Sequence, residues 1–134
     1  SLRARLLDRI ERVSPLTGAE RARLRHRLAA LPDGDALCHG DFHPFNIIAK
    51  GERLAIIDWL DATSGPAAAD VGRTYLLVLH NVPVLAEPYL AARLHGADFD
   101  REAVEAWLPV LAGARLAENV PEEAARLLDL VRTA

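Results

Sequence analysis

The chain has 134 residues, 51% of them hydrophobic, and a formal net charge of −3. That length makes one domain with its own core, and the mild acidity excludes a nucleic-acid footprint or a polybasic membrane patch. No stretch is long and apolar enough to span a bilayer, no signal-peptide pattern opens the chain, and the one cysteine, Cys38, cannot form an internal disulfide; a reducing cytoplasm is the expected compartment.

Leu2, Leu6, Ile10 and Val13 form a helical stripe that Ser14-Pro15 breaks. Thr17 and Glu20 read as a capping box opening a second helix with Leu24, Leu28 and Leu31 on one face. The arginines at 21, 23, 25 and 27 read as a solvated surface, because alternate helical positions point different ways. Pro32-Asp33-Gly34-Asp35 is a turn. A short apolar strand ends at Cys38, a polar loop runs from His39 to Asn46, and two strands flank a turn at Lys50-Gly51-Glu52 to make a hairpin, the second ending on Asp58. Asp61 to Pro66 is a loop of small residues.

Beyond it, a helix beginning at Asp70 is apolar nearly all round, which places it at the centre of the domain, with Tyr75 as a core residue. A further helix spans about Val84 to Leu94 and stops at Gly96; Tyr89 belongs to its core side. Asp100 caps the next, which carries Val104, Trp107, Leu108 and Leu111 on one side, and Pro109 is expected to kink or split it. Asn119 with Glu122 reads as another capping box, and Pro121 starts the last helix.

The chemistry concentrates between Leu37 and Trp59. The hairpin brings Asn46 and Asp58 together, with Asp41 in the loop just before. Two acids and an amide at a strand-end loop suit a hard cation and a general base. His39-x-Asp41-x-x-x-x-Asn46, followed by Ile57-Asp58-Trp59 and then Gly65-Pro66-Ala67-Ala68-Ala69-Asp70, resembles the catalytic segment of the aminoglycoside phosphotransferase and choline-kinase-like enzymes, small-molecule relatives of protein kinases. The motifs cover about Leu37 to Tyr75.

The resemblance implies a fold that is mainly α with a small β-hairpin, the carboxy-terminal lobe of a protein-kinase-like α+β fold. Helices at 1–31, the catalytic loop and hairpin at 36–58 and a helical remainder at 67–134 make one unit. It implies an ATP- or GTP-dependent transfer of phosphate to a small-molecule hydroxyl, such as that of an aminoglycoside or a choline-like compound. Asp41 is the implied base, and Asn46 and Asp58 are the implied ligands of the Mg2+ that accompanies the nucleotide. His39 is implied to tie the loop to the backbone near Asp58, and Asp70 to brace the loop. His43 and Phe45 are possible substrate-side residues, Phe45 replacing a glycine common among relatives. Trp59 is expected to pack, and Arg73 to face solvent or a salt bridge. A cationic acceptor would favour acids such as Glu87, Asp98, Glu102, Glu105 and Glu118.

Two absences qualify this. There is no methionine, and the one lysine, Lys50, lies in the hairpin turn; no G-x-G-x-x-G run is present. A kinase-like site needs a glycine-rich cover and a strand lysine over the phosphates, so the amino-terminal lobe is expected to be missing, the isolated lobe inactive alone and its uncovered face prone to self-association. Two other classes compete. Gly40-Asp41-Phe42-His43 resembles the start of a dinuclear metallophosphoesterase, although no G-N-H-[ED] run follows, and a lone lobe also suits a non-catalytic binding or regulatory module.

Overall fold

The computed structural model describes residues 1–133. Helix α1 (Leu2–Arg12) starts where the Ser1 hydroxyl accepts from the Ala4 amide, and its apolar stripe buries Leu2, Leu6 and Ile10. Helix α2 (Gly18–Ala30) opens on a complete capping box: Thr17 Oγ1 accepts from the Glu20 amide at 3.1 Å, and the Glu20 carboxylate accepts from the Thr17 amide at 2.8 Å. Val13 and Leu16, between the two helices, are also buried.

Two small antiparallel pairs follow. Strand β1 (Ala36–Cys38) pairs with β4 (Thr63–Gly65), and β2 (Ile47–Lys50) pairs with β3 (Arg53–Ile56). Gly51 stands at the first central position of the two-residue β2–β3 turn with φ +60°, where primed hairpin turns demand a positive φ. The strand at 63–65 corrects the expected loop. Thr-Ser-Gly carries little strand propensity of its own; β1 supplies the pairing, and the missing side chain of Gly65 lets Leu2 of α1 press close against it.

The rest is helical: α3 (Ala67–Asn81), α4 (Ala86–Leu94), α5 (Arg101–Arg115) and α6 (Pro121–Arg132). Helix α5 is the axis, packing against α1, α2, α3 and α6 and burying Trp107, Val110 and Leu111. Four expectations are corrected here. Helix α3 begins at Ala67 rather than Asp70, since three alanines extend it at little cost. A separate 3₁₀ turn occupies Pro83–Leu85, so α4 starts at Ala86.

Pro109 neither splits nor ends α5. The lost bond to the Glu105 carbonyl is outweighed by burial of residues on both sides of it. Finally, Asn119 caps nothing at α6. It takes a left-handed conformation, φ 54°, closing a 3₁₀ turn, and Pro121 at the first helical position leaves Val120 as the N-cap without a side-chain bond.

Candidate active site

Helix α3 and the loop after β1 together build the site. Asp70, in the first turn of α3, accepts from the His39 amide through Oδ2 and from the Gly40 amide through Oδ1, each at 2.9 Å. One turn on, Thr74 Oγ1 donates to the Phe42 carbonyl at 2.7 Å. Gly40 has φ +85°, and a Cβ there would lie 2.6 Å from the Asp61 carbonyl oxygen; only glycine lets the loop lie this close to the segment before β4.

His39 is buried and makes two bonds that settle its tautomer. The Asp41 amide donates to Nδ1 at 3.1 Å, so Nε2 carries the proton and donates to the Ile57 carbonyl at 2.8 Å. Both ring nitrogens are thereby engaged with backbone. The Trp59 ring lies against it, centroids 4.5 Å apart, and Trp59 Nε1 donates to the Ile56 carbonyl at 2.9 Å.

Asp41 points into a cluster of three side chains. Asn46 is buried, and its Nδ2 donates to the Asp41 carbonyl at 2.8 Å and to Asp41 Oδ2 at 3.3 Å. That assignment turns the amide nitrogen toward the Asp41 carboxylate. Asn46 Oδ1, the atom a hard cation takes, makes no hydrogen bond among the described residues. His43 Nδ1 accepts from the Phe45 amide at 3.2 Å, and its Nε2 lies 3.2 Å from Asn46 Nδ2 and 3.5 Å from Asp41 Oδ2. Phe45 is 87% exposed and stands edge-to-face with the His43 ring, centroids 6.1 Å apart.

The third partner of Asp41 is Arg73, whose Nη2 is 3.7 Å from Oδ1. Arg73 is 8% exposed, so of the two expected readings, solvent or a salt bridge, the structure shows the salt bridge: the helix that carries it is covered on every side. An arginine within an apolar helix gives no periodic signal of its own. The available clue was the spacing Asp70, Arg73, Thr74, which puts three polar groups on one helical face.

Asp58 joins this cluster through the backbone. The Ile57 amide donates to the Asn46 carbonyl at 2.9 Å, extending the β2–β3 ladder by one step, and Asp58 follows with φ 59°. Its backbone turns left-handed, a conformation aspartate tolerates better than most residues, and its side chain is exposed. Mg2+ keeps several waters and is held by one or two protein oxygens together with phosphates, and Asn46 Oδ1 and the exposed Asp58 carboxylate fit that demand. Among the described residues no group of three or more His, Cys, Asp or Glu is arranged to hold a metal ion, so a dinuclear phosphoesterase centre has no ligand set there.

A cleft of about 1010 Å³ lies elsewhere. It is lined by Asp33, Asp35, Asp98, Glu102, Phe99 and Trp107 among others, and no residue of the 39–46 loop reaches it. Of the acids considered for a cationic acceptor, Glu87 and Glu105 are tied to Arg101 and Glu118 to Arg9, which leaves Asp98 and Glu102 on that cleft. A smaller hollow of about 150 Å³ does abut the loop, between His39, Phe42, Trp59, Tyr89 and Arg93.

A model of the phosphotransferase enzyme family matches residues 2–107. A methylthioribose kinase of Geobacillus sp. (strain WCH70) is 40% identical over 62 residues, 46% of this chain and 15% of that kinase. The chain thus corresponds to a minor part of the length of that relative. No solved structure matches it.

Proposed function

The chain belongs to the phosphotransferase enzyme family, and we propose that it carries the base and the magnesium-binding residues of a kinase that phosphorylates a hydroxyl of a small molecule, with ATP or GTP as donor. The observation that supports this best is the linkage of Asp41, Asn46 and Asp58: Asn46 bonds to Asp41 through its side chain and to the residue before Asp58 through its carbonyl.

In this reading Asp41 takes the proton of the acceptor hydroxyl as its oxygen attacks the terminal phosphorus, in line with the departing nucleoside diphosphate. Oδ2 is the receiving atom, since Oδ1 faces Arg73. Asn46 and Asp58 would hold Mg2+, which when bound would offset the charge that develops on the phosphates. His39 fixes the relative placement of the loop and Ile57, and so of Asp41 and Asp58. A lysine and a glycine-rich turn over the phosphates would come from outside these residues, where Lys50 is the one lysine. The acceptor is a small alcohol; the name of the methylthioribose kinase puts a sugar hydroxyl first among those to assay, ahead of aminoglycosides and choline-like compounds.

The test is nucleotide-dependent phosphorylation of such a panel by protein containing these residues. Asp41→Asn should lower kcat by roughly 10²- to 10⁴-fold while leaving nucleotide KM nearly unchanged, and Asp58→Ala should raise the Mg2+ requirement. An Asp41→Asn enzyme that keeps its full rate would overturn the assignment. For the 134-residue chain alone, calorimetric titration should show weak or no binding of ATP with Mg2+; tight binding that Asp58→Ala abolishes would overturn the need for an outside cover.

A further inference from the structure

Burying a guanidinium is costly unless its charge and its N–H groups are met. Two nearby arginines, Arg115 and Arg9, are met by carboxylates. Arg115 is held by the Glu123 carboxylate through two bonds of 2.8 and 3.0 Å, and Arg9 by Glu118 at 3.2 Å and Asp61 at 3.8 Å. Arg73 has Asp41 alone within ion-pair distance among the described residues, and its Nη1 is buried with no hydrogen-bond partner. Desolvation first, then the nearby Arg115, pull the guanidinium below its ordinary value, and Asp41 leads the groups that oppose them. A residue kept solely for stability would be replaced at little loss by an apolar one of similar volume. This one sits where its single anion is the candidate base.

The geometry of α3 sharpens the point. Asp70 grips the amides of His39 and Gly40, Thr74 grips the carbonyl of Phe42, and Arg73 reaches the side chain of the residue between them. We propose that Arg73 is a positioning residue for phosphoryl transfer: it fixes the rotation of the Asp41 carboxylate, keeping Oδ1 toward α3 and presenting Oδ2 beside Asn46 to the acceptor hydroxyl. The role in transfer rests on the phosphotransferase reading above, whereas the coupling from Arg73 through Asp41 to Asn46 does not.

Two measurements separate those parts. In the 15N-labelled chain, Arg73→Gln should move the Asn46 side-chain amide pair and the Asp41 amide while leaving the amides of the distal α5 turns in place. Arg73→Lys, which keeps the charge but loses the fork, should give a smaller displacement. In the active protein, Arg73→Gln should lower kcat roughly ten- to hundredfold with nucleotide KM little altered, and Arg73→Lys should recover part of the loss.

Asn46 signals that stay in place, or equal losses in the glutamine and lysine variants that track a fall in thermal stability, would overturn the proposal. Should Arg73→Gln fail to fold, Asp41→Asn reads the same pair from the other side: the guanidinium nitrogens of Arg73 should shift, and unshifted signals would refute the contact. If the wild-type protein transfers no phosphate, the functional reading falls while the spectra still decide whether Arg73 orients Asp41.

Discussion

Residues 39–42 lie against α3 and give it two amides, a carbonyl and a carboxylate, whereas residues 47–57 form a hairpin whose strands bond to each other and stand in solvent. On the loop side His39 and Asn46 are buried. On the hairpin side Leu54 is 74% exposed, and Ile48, Ile56, Ile57 and Trp59 are also exposed. Asp41 is therefore placed by side chains of the chain's own helical body. The carboxylate assigned to the metal rides on two strands held mainly by backbone bonds. The difference teaches that the two halves of the site have different sources of order, and that the hairpin's apolar face is a surface left for something else to cover.

The largest effect that tests this contrast belongs to Asp70. Removing its carboxylate by Asp70→Ala leaves the His39 and Gly40 amides without acceptors, and charge-assisted bonds of this kind contribute about 1.5–3 kcal/mol each. Asp70 is only half-buried, so water meets part of the loss, and the expected fall in unfolding free energy is about 3 kcal/mol by urea titration. A fall below about 1 kcal/mol would mean that the loop is ordered without α3, and the contrast would collapse.

A smaller effect follows from acid. Glu20 is held down to about 2 from an ordinary 4.5, first by the Arg132 guanidinium and then by the Thr17 amide, and Arg115 likewise lowers Glu123. A carboxylate whose folded value is depressed contributes stability that is complete above its unfolded value and disappears as the pH falls toward the folded one. The helical body should therefore lose stability between about pH 4.5 and 2, and Glu20→Gln should flatten that slope. None of the ion pairs among the described residues lies within β2 and β3, so the hairpin has no comparable acid-sensitive link. Urea midpoints measured across this range for both proteins check the sign; a midpoint that rises on acidification would contradict it.

These two halves were also unequally legible in the sequence. The helices announced themselves through capping boxes and apolar stripes, as with Thr17 and Glu20, and the hairpin through Gly51 between two apolar runs. Strand β4 did not, because Thr63-Ser64-Gly65 is a strand only by virtue of its partner. Pro109, for the opposite reason, did not split its helix: its local penalty is real, yet burial along α5 exceeds it. Within the site, the spacing of 41, 46 and 58 could be read in one dimension. The partner of Arg73 could not, since the salt bridge is a contact between α3 and a loop 32 residues earlier in sequence, counted from Arg73 to Asp41.

The smallest effect is the one that most sharpens the comparison. Leu54→Ser changes a side chain that is already 74% exposed, so it removes almost no buried area, and the stability of the chain should change by less than about 0.5 kcal/mol. The same substitution removes apolar surface from the face shared with Ile56, where we propose that copies of the chain associate when nothing else covers it. Sedimentation over a range of concentrations should then show weaker association for the variant than for the parent, with unchanged unfolding curves. A stability loss of 2 kcal/mol or more would show instead that the hairpin is packed into the body. In that case Asp58 would owe its position to the same core as Asp41, and the separation between a braced Asp41 and an open Asp58 would disappear.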